Sequence, residues 1–195
     1  TRDALSDIEV RKAFMQCINT ETILGIVYQG VNWKEDRLSS LSILPWMDGY
    51  EDNLPQDVSA NATADAQIAA AKKTLEDAGY ELGSDGYYAK GGKQVAFGFT
   101  AIGDSNVTKN RAAAIQKMAK DAGMNITIDN KPSSDFSKTL VGGQWDVFLL
   151  GWSVSSATYN NGGQLFGSTS ESNFTHAGSK ELDAKFLAVT GIEDH

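Results

Sequence analysis

From residue 64 onward the apolar period of this chain switches repeatedly between that of a helix and that of a strand, which narrows the possible folds sharply. Ile68, Ala71, Leu75 and Ala78 share one side of a helix predicted over about 64–78, and Gly79 stands where a left-handed C-cap belongs. Tyr80 to Lys93 carries Asp85-Gly86 and Gly91-Gly92 around an aromatic pair, which predicts a small hairpin. Val95 to Thr100 alternates like a strand. A helix over about 108–122 follows, with Ile115, Met118, Ala119 and Ala122 inward and Gly123 as its stop. Met124 to Ile128 reads as a short strand. Ser133 or Ser134 can cap a helix carrying Phe136, Leu140 and Val141. Asp146 to Gly151 is an apolar run of the kind found when both faces of a strand are covered. This order predicts an α/β layer structure in which segments 95–100, 124–128 and 146–150 share one mixed sheet with helices packed on it.

The start of the chain is helical. Ser6-Asp7-Ile8-Glu9 has the form of a capping box, and Val10, Ala13, Phe14, Cys17 and Ile18 follow on one face. Cys17 therefore reads as a buried structural thiol. A second short helix covers Thr20 to Tyr28 and stops near Gly30. Residues 31–62 hold Trp33, Pro45, Trp46, Tyr50 and Pro55 without a sustained period, as expected of a functional loop or a wrap around the body. The acidic stretch from Asp48 to Asn53 lacks ordered calcium-loop spacing and reads as a solvated turn. A last helix starts near Ser179-Lys180-Glu181-Leu182.

Composition removes several function classes. With 17 Lys and Arg against 25 Asp and Glu, the formal charge is −8, which opposes a nucleic-acid partner or an anionic membrane surface. One cysteine excludes an internal disulfide and a cysteine zinc cluster, and two histidines leave no His/Cys metal spacing. No Walker loop or G-x-G-x-x-G is present, so the residues call for no metal and no cofactor. At 195 residues the chain is long enough for one core, and it reads as a single α/β lobe over 1–195, a fragment of a longer polypeptide.

The polar loop after the last strand is the place to look for chemistry, because open α/β sheets bind ligands at the carboxyl ends of their strands. Trp152, Ser153, Ser155, Ser156, Tyr159 and Asn160 offer hydroxyl, amide and aromatic groups with no formal charge. Gly151-Trp152-Ser153-Val154-Ser155 also approaches the G-x-S-x-G nucleophile elbow, so a serine hydrolase using Ser153 is a rival reading, with His176 the only internal histidine to serve it. Ser155 replaces the final glycine, and no helix-like stretch follows.

Read together, the segments resemble one family. Asp7-Ile8-Glu9-Val10-Arg11-Lys12-Ala13-Phe14 through Glu21 resembles the "D-V-R-V-R-x-A-I…A-I-D-R-E" segment of the family 5 extracellular solute-binding proteins, in their C-terminal lobe. Leu44-Pro45-Trp46 with Gly49-Tyr50, Ala78-Gly79-Tyr80, Asp85-Gly86 with Gly92-Lys93, and Leu165-Phe166-Gly167-Ser168 stand in matching order. So does Trp145-Asp146-Val147-Phe148-Leu149-Leu150-Gly151-Trp152, which resembles "F-D-x-x-x-x-G-W". The resemblance implies one lobe of a bilobed receptor that closes on a solute without catalysis, completed by an N-terminal lobe of the same polypeptide. It implies an extracytoplasmic location, in the periplasm or anchored by a lipid, and delivery to the membrane subunits of an ABC importer. Peptide is the implied ligand. In peptide receptors of the family the loop after G-W commonly carries an Asp for the peptide ammonium; here Ser155 or Ser156 occupies that place, and no Asp or Glu occurs between Asp146 and Glu171. A neutral oligosaccharide is therefore the second ligand reading.

Overall fold

The computed structural model describes residues 3–33, 62–149 and 162–190. The chain divides into two compact units, the first holding the described residues up to Leu149 and the second those from Gly162 onward.

In the first unit, α1 (Asp3–Ser6) leads into α2 (Ile8–Cys17) and α3 (Thr20–Val27). The cap of α2 is Asp7, not Ser6: its Oδ1 accepts the Glu9 N–H at 2.9 Å. Ser6 belongs to the preceding turn, where its hydroxyl donates to the Asp3 carbonyl. The capping-box expectation fails by one residue because Asp7, also a strong capping residue, takes the extended conformation required. Val10, Ala13, Phe14 and Cys17 are buried as the periodicity predicts. Burial pushes the Cys17 thiol up to about 12. Asn19 then caps α3 through the Thr22 N–H, and its amide donates to Gln67 Oε1 at 2.7 Å, while Gln67 donates to the Ile18 carbonyl. This buried exchange fastens the α2–α3 corner to α4 (Ala64–Asp77).

Gly79 ends α4 at φ +83°, with the Tyr80 N–H returning to the Leu75 carbonyl, as a left-handed cap requires. The expected hairpin is a three-stranded antiparallel sheet of β1 (Glu81–Leu82), β2 (Tyr88–Lys90) and β3 (Lys93–Gln94). Tyr88 is buried with its hydroxyl donating to Glu76 at 2.6 Å; burial first, then that carboxylate, raises its pKa to about 12.

The second sheet carries the three segments expected to lie together: β4 (Ala96–Ile102), β5 (Asn125–Lys131) and β6 (Val147–Phe148), all parallel, in the order β5-β4-β6. Helix α5 (Asn106–Asp121) joins β4 to β5 and ends at Gly123, φ +79°. Phe97, Phe99 and Ala101 point from β4 into a core shared with Phe14, Ile115 and Ile126, and the Phe14 and Phe97 rings meet edge to face at 5.3 Å.

Two local expectations are corrected. Helix α6 (Phe136–Gly142) follows a 3₁₀ turn at Ser133–Asp135, and neither serine caps it. Of its apolar residues Leu140 is buried, whereas Phe136 is 39% and Val141 75% exposed. Among the described residues β6 is the last strand of its sheet, two residues long and half-buried, not an apolar strand covered on both faces.

The second unit has α7 (Gly163–Phe166) and α8 (Lys180–Thr190), the latter starting where the Ser179-Lys180 signal places it. Between them Asn173, 5% exposed, donates to the carbonyls of Gly167 and Ala177 and accepts from the Thr175 hydroxyl.

Candidate functional site at the carboxyl ends of the parallel strands

The three parallel strands end on the same side of the first unit, so the turns after Ile102, Lys131 and Phe148 share one edge. Gly103 donates its N–H to the Lys131 carbonyl at 3.0 Å, tying the first turn to the end of β5. Asp104 then accepts the Ser133 N–H at 3.1 Å, and the Ser133 backbone and hydroxyl hold its carboxyl below the usual carboxylate range. Ser105 caps α5 by accepting the Thr108 N–H. These groups were not singled out from the sequence, although Asp104-Ser105-Asn106 is a polar triplet set between a strand and a helix.

The segment entering the third turn is held from three sides. The Trp145 indole N–H donates to the Leu140 carbonyl at 3.2 Å, and its ring lies 5.6 Å from Phe148, which in turn lies 6.0 Å from Phe136. Asp146 Oδ2 accepts the Gly98 N–H at 2.8 Å. That carboxylate extends the β4–β6 ladder one step before Val147, where the backbone pairing begins. Residues 145–148 are therefore held in place. Trp152, Ser153, Ser155, Ser156, Tyr159 and Asn160 lie beyond them, outside the described residues.

Other candidates are occupied. A cavity of about 700 Å³ beside β2 and β3 is lined by Tyr80, Lys90, Lys93 and Gln94, among others. Lys90 is bonded to the Ala78 carbonyl, Lys93 is paired with Asp3, Gln94 is bonded to Asp85, and Tyr80 donates to Asp7. His176 is exposed, at φ +54°, in the turn closed on Asn173. Among the described residues no group of three or more His, Cys, Asp or Glu side chains could hold a metal ion. No described helix is long and apolar enough to cross a membrane.

The chain matches the model of the bacterial extracellular solute-binding proteins, family 5, middle region, over residues 1–174. It is 25% identical over 181 residues to the oligopeptide-binding protein OppA of Mycobacterium tuberculosis, covering 92% of this chain and 29% of that protein. Among solved structures it resembles the oligopeptide-binding protein AppA of Bacillus subtilis in complex with a nonapeptide, with a TM-score of 0.73 and 20% identity over 97% of this chain and 36% of that one. It also resembles NikZ of Campylobacter jejuni in complex with Ni(L-His), with a TM-score of 0.75 and 20% identity over 98% of this chain and 37% of that one. The chain thus spans about a third of the length of these relatives. The match over residues 1–174 places the chain in the family 5 bacterial extracellular solute-binding proteins, which are binding proteins and not enzymes.

Proposed function

We propose that this chain is part of the extracytoplasmic receptor of an ABC importer and that its solute is an oligopeptide. The observation that carries the reading is the family match through both the strand–helix–strand body and the loop that leaves β6. Peptide is favoured over other solutes because OppA, the curated relative, is an oligopeptide-binding protein and AppA holds a nonapeptide. Trp152, Ser153, Ser155, Ser156, Tyr159 and Asn160 would form this chain's share of the ligand shell. They follow a strand whose preceding residues, Trp145 and Asp146, are held by hydrogen bonds. We further propose a single-lobe role for residues 1–195, with a second lobe of the same polypeptide closing over the solute, delivery to the importer's membrane subunits, and a lipid anchor or free periplasmic location. The hydrolase reading of Ser153 falls with the family assignment.

A neutral oligosaccharide is the second reading, on one observation: the chain between Asp146 and Glu171 holds no carboxylate to pair with a peptide ammonium. Calorimetry on the intact receptor with peptide and oligosaccharide panels separates the two. Trp152→Ala should weaken binding of the true ligand by about 1–3 kcal/mol, as loss of an aromatic anchor does, with the melting temperature unchanged. Unchanged affinity together with a lowered melting temperature would make Trp152 a core residue and remove it from the site. Turnover of an activated ester lost in Ser153→Ala would restore the hydrolase.

A further inference from the structure

Asp85-Gly86 occupies the exposed turn between β1 and β2. An aspartate followed by glycine is the dipeptide most prone to cyclise through its side chain, because glycine brings no Cβ to shield the attacking amide nitrogen. Gly86 stands at φ +85°, and nothing lies within 4 Å of the place its Cβ would take. Sequence and exposure therefore favour the reaction here, and the hydrogen bonds of the turn oppose it.

Both reacting groups are engaged. The Gly86 N–H, the nucleophile once deprotonated, donates to the Gly83 carbonyl at 3.0 Å, and the Gly83 N–H donates to the Tyr87 carbonyl at 2.8 Å. The Asp85 carboxyl, the electrophile, accepts the Tyr87 N–H at 3.1 Å on Oδ1 and the Gln94 amide at 2.8 Å on Oδ2. Gln94 is itself held from behind, because its Oε1 accepts from Asn125 Nδ2 at 2.7 Å, at the first residue of β5. With the amide oxygen committed to that donor, the amide N–H group is left to face Asp85. The relay Asp85–Gln94–Asn125 thus ties the turn of the small sheet to the parallel sheet, all within the first unit. Gly83 leaves the carboxyl its place: a Cβ there would lie 2.7 Å from Asp85 Oδ1.

We propose that Asp85 is an isoaspartate-forming modification site that Gln94 holds closed, so that modification there records opening of the turn. In the reaction the Gly86 nitrogen bonds to Asp85 Cγ of the carboxyl in its acid form. One carboxyl oxygen leaves as water with the acid proton and the amide proton, and a five-membered succinimide remains. Water then reopens the ring. Opening at Cγ restores aspartate, and opening at the backbone carbonyl gives isoaspartate, with the chain running through the side-chain methylene. Water is the only co-reactant. The product has a longer backbone and a displaced carboxylate, so the bonds to Tyr87 and Gln94 are lost and the tie to Asn125 goes with them. Gln94 is a positioning residue here, acting through the Asp85 carboxyl.

The test is ageing of the full chain at mildly acidic pH, below its melting temperature, followed by peptide mapping that separates the aspartyl and isoaspartyl forms of the peptide containing residue 85. The urea-unfolded chain supplies the unprotected rate. The folded chain should form isoaspartate at residue 85 at least about tenfold more slowly than the unfolded one. Gln94→Leu, which keeps the bulk and removes the donor, should raise the folded rate about three- to tenfold with an unchanged melting temperature. Gly83→Ala reaches the same carboxyl from the other side, by crowding Oδ1, and should raise the rate with Gln94 intact. A folded rate equal to the unfolded one would overturn the proposal, as would an unchanged rate in Gln94→Leu. Acceleration in Gln94→Leu that only tracks a lowered melting temperature would also overturn it, because general unfolding and not the Gln94 contact would then govern the reaction.

Discussion

Among the described residues, the two units of this chain are each organised by different interactions. In the first, the buried side chains are apolar and continuous: Val10, Phe14, Leu75, Tyr88, Phe97, Phe99, Ile115 and Met124 belong to one cluster. In the second, among the described residues, the buried side chain is the amide of Asn173, and the organising bonds run from side chains to backbone carbonyls and N–H groups. An apolar core resists loss of any one contact in proportion to the volume removed. A polar knot concentrates its dependence on a few atoms, because each orphaned partner bears its own desolvation cost.

The largest effect should come from Phe97→Ala. It removes a ring that is 2% exposed and packed against Phe14. A loss of about 3–5 kcal/mol is expected, read as a fall in urea midpoint with earlier exchange of the β4 and β5 amides. A cost below about 1 kcal/mol would mean that this core does not carry the first unit.

Next in size should be Gly123→Ala. Gly123 sits at φ +79°, and an added Cβ would lie 2.5 Å from the Tyr88 ring. Both backbone strain and displacement of a buried ring follow, costing about 2–4 kcal/mol in thermal unfolding. Gly30 offers a control, since it too has a positive φ, +84°, but meets nothing within 4 Å, so Gly30→Ala should cost only the backbone part.

Asn173→Ala tests the other side of the comparison. The carbonyls of Gly167 and Ala177 lose donors and the Thr175 hydroxyl loses its acceptor. About 1–3 kcal/mol is expected, confined to the second unit and read from faster exchange at the amides of 173–177. If exchange there is unchanged, the turn is held by something other than the Asn173 amide.

The same contrast explains what was legible in the sequence. Apolar periodicity reports a continuous core, so the faces of α2, α4 and α5 and the membership of β4, β5 and β6 in one sheet could be read directly. Gly79 and Gly123 marked helix ends because an L side chain is disfavoured at their φ. Local side-chain choices were less legible. Ser6 and Asp7 are both good caps, and which one serves depends on the α1 turn before them. The run after Asp146 has the composition of a covered strand, but its burial depends on what packs against it, and β6 is half-buried at the end of the described sheet. The role of Asn173 was not legible, because its bonds run to backbone groups that carry no sequence signal. The candidate loop from Trp152 to Asn160 was legible as composition and family likeness; its geometry lies outside the described residues, and only its approach through Trp145 and Asp146 is built from distances.

The smallest effect, and the finest separation of the two units, should come from acid. Asp183 of α8 accepts both the Ser168 hydroxyl and the Ser168 N–H, the latter at 2.8 Å. The hydroxyl bond first and the backbone bond second hold its carboxyl below the ordinary value of 3.8. A carboxyl whose pKa is lower folded than unfolded binds fewer protons in the folded state. Its contribution is therefore fully present above the unfolded value and is lost as the pH falls through the folded one. Asp7 in the first unit follows the same sign, lowered by the Glu9 N–H and then by the Tyr80 hydroxyl. The units should nevertheless respond differently. Protonating Asp7 weakens a cap on a helix whose opposite face is buried, whereas protonating Asp183 loosens a tie in a unit whose described residues include no buried apolar side chain. Titration from about pH 6 to about pH 2 should show exchange at the Ser168 amide rising before that of the α2 amides. Asp183→Asn should abolish the acid-dependent step at Ser168 and leave the α2 response in place. Simultaneous loss of protection at both positions would show that the two units open as one, and the distinction between apolar core and polar knot would then have no consequence for stability in acid.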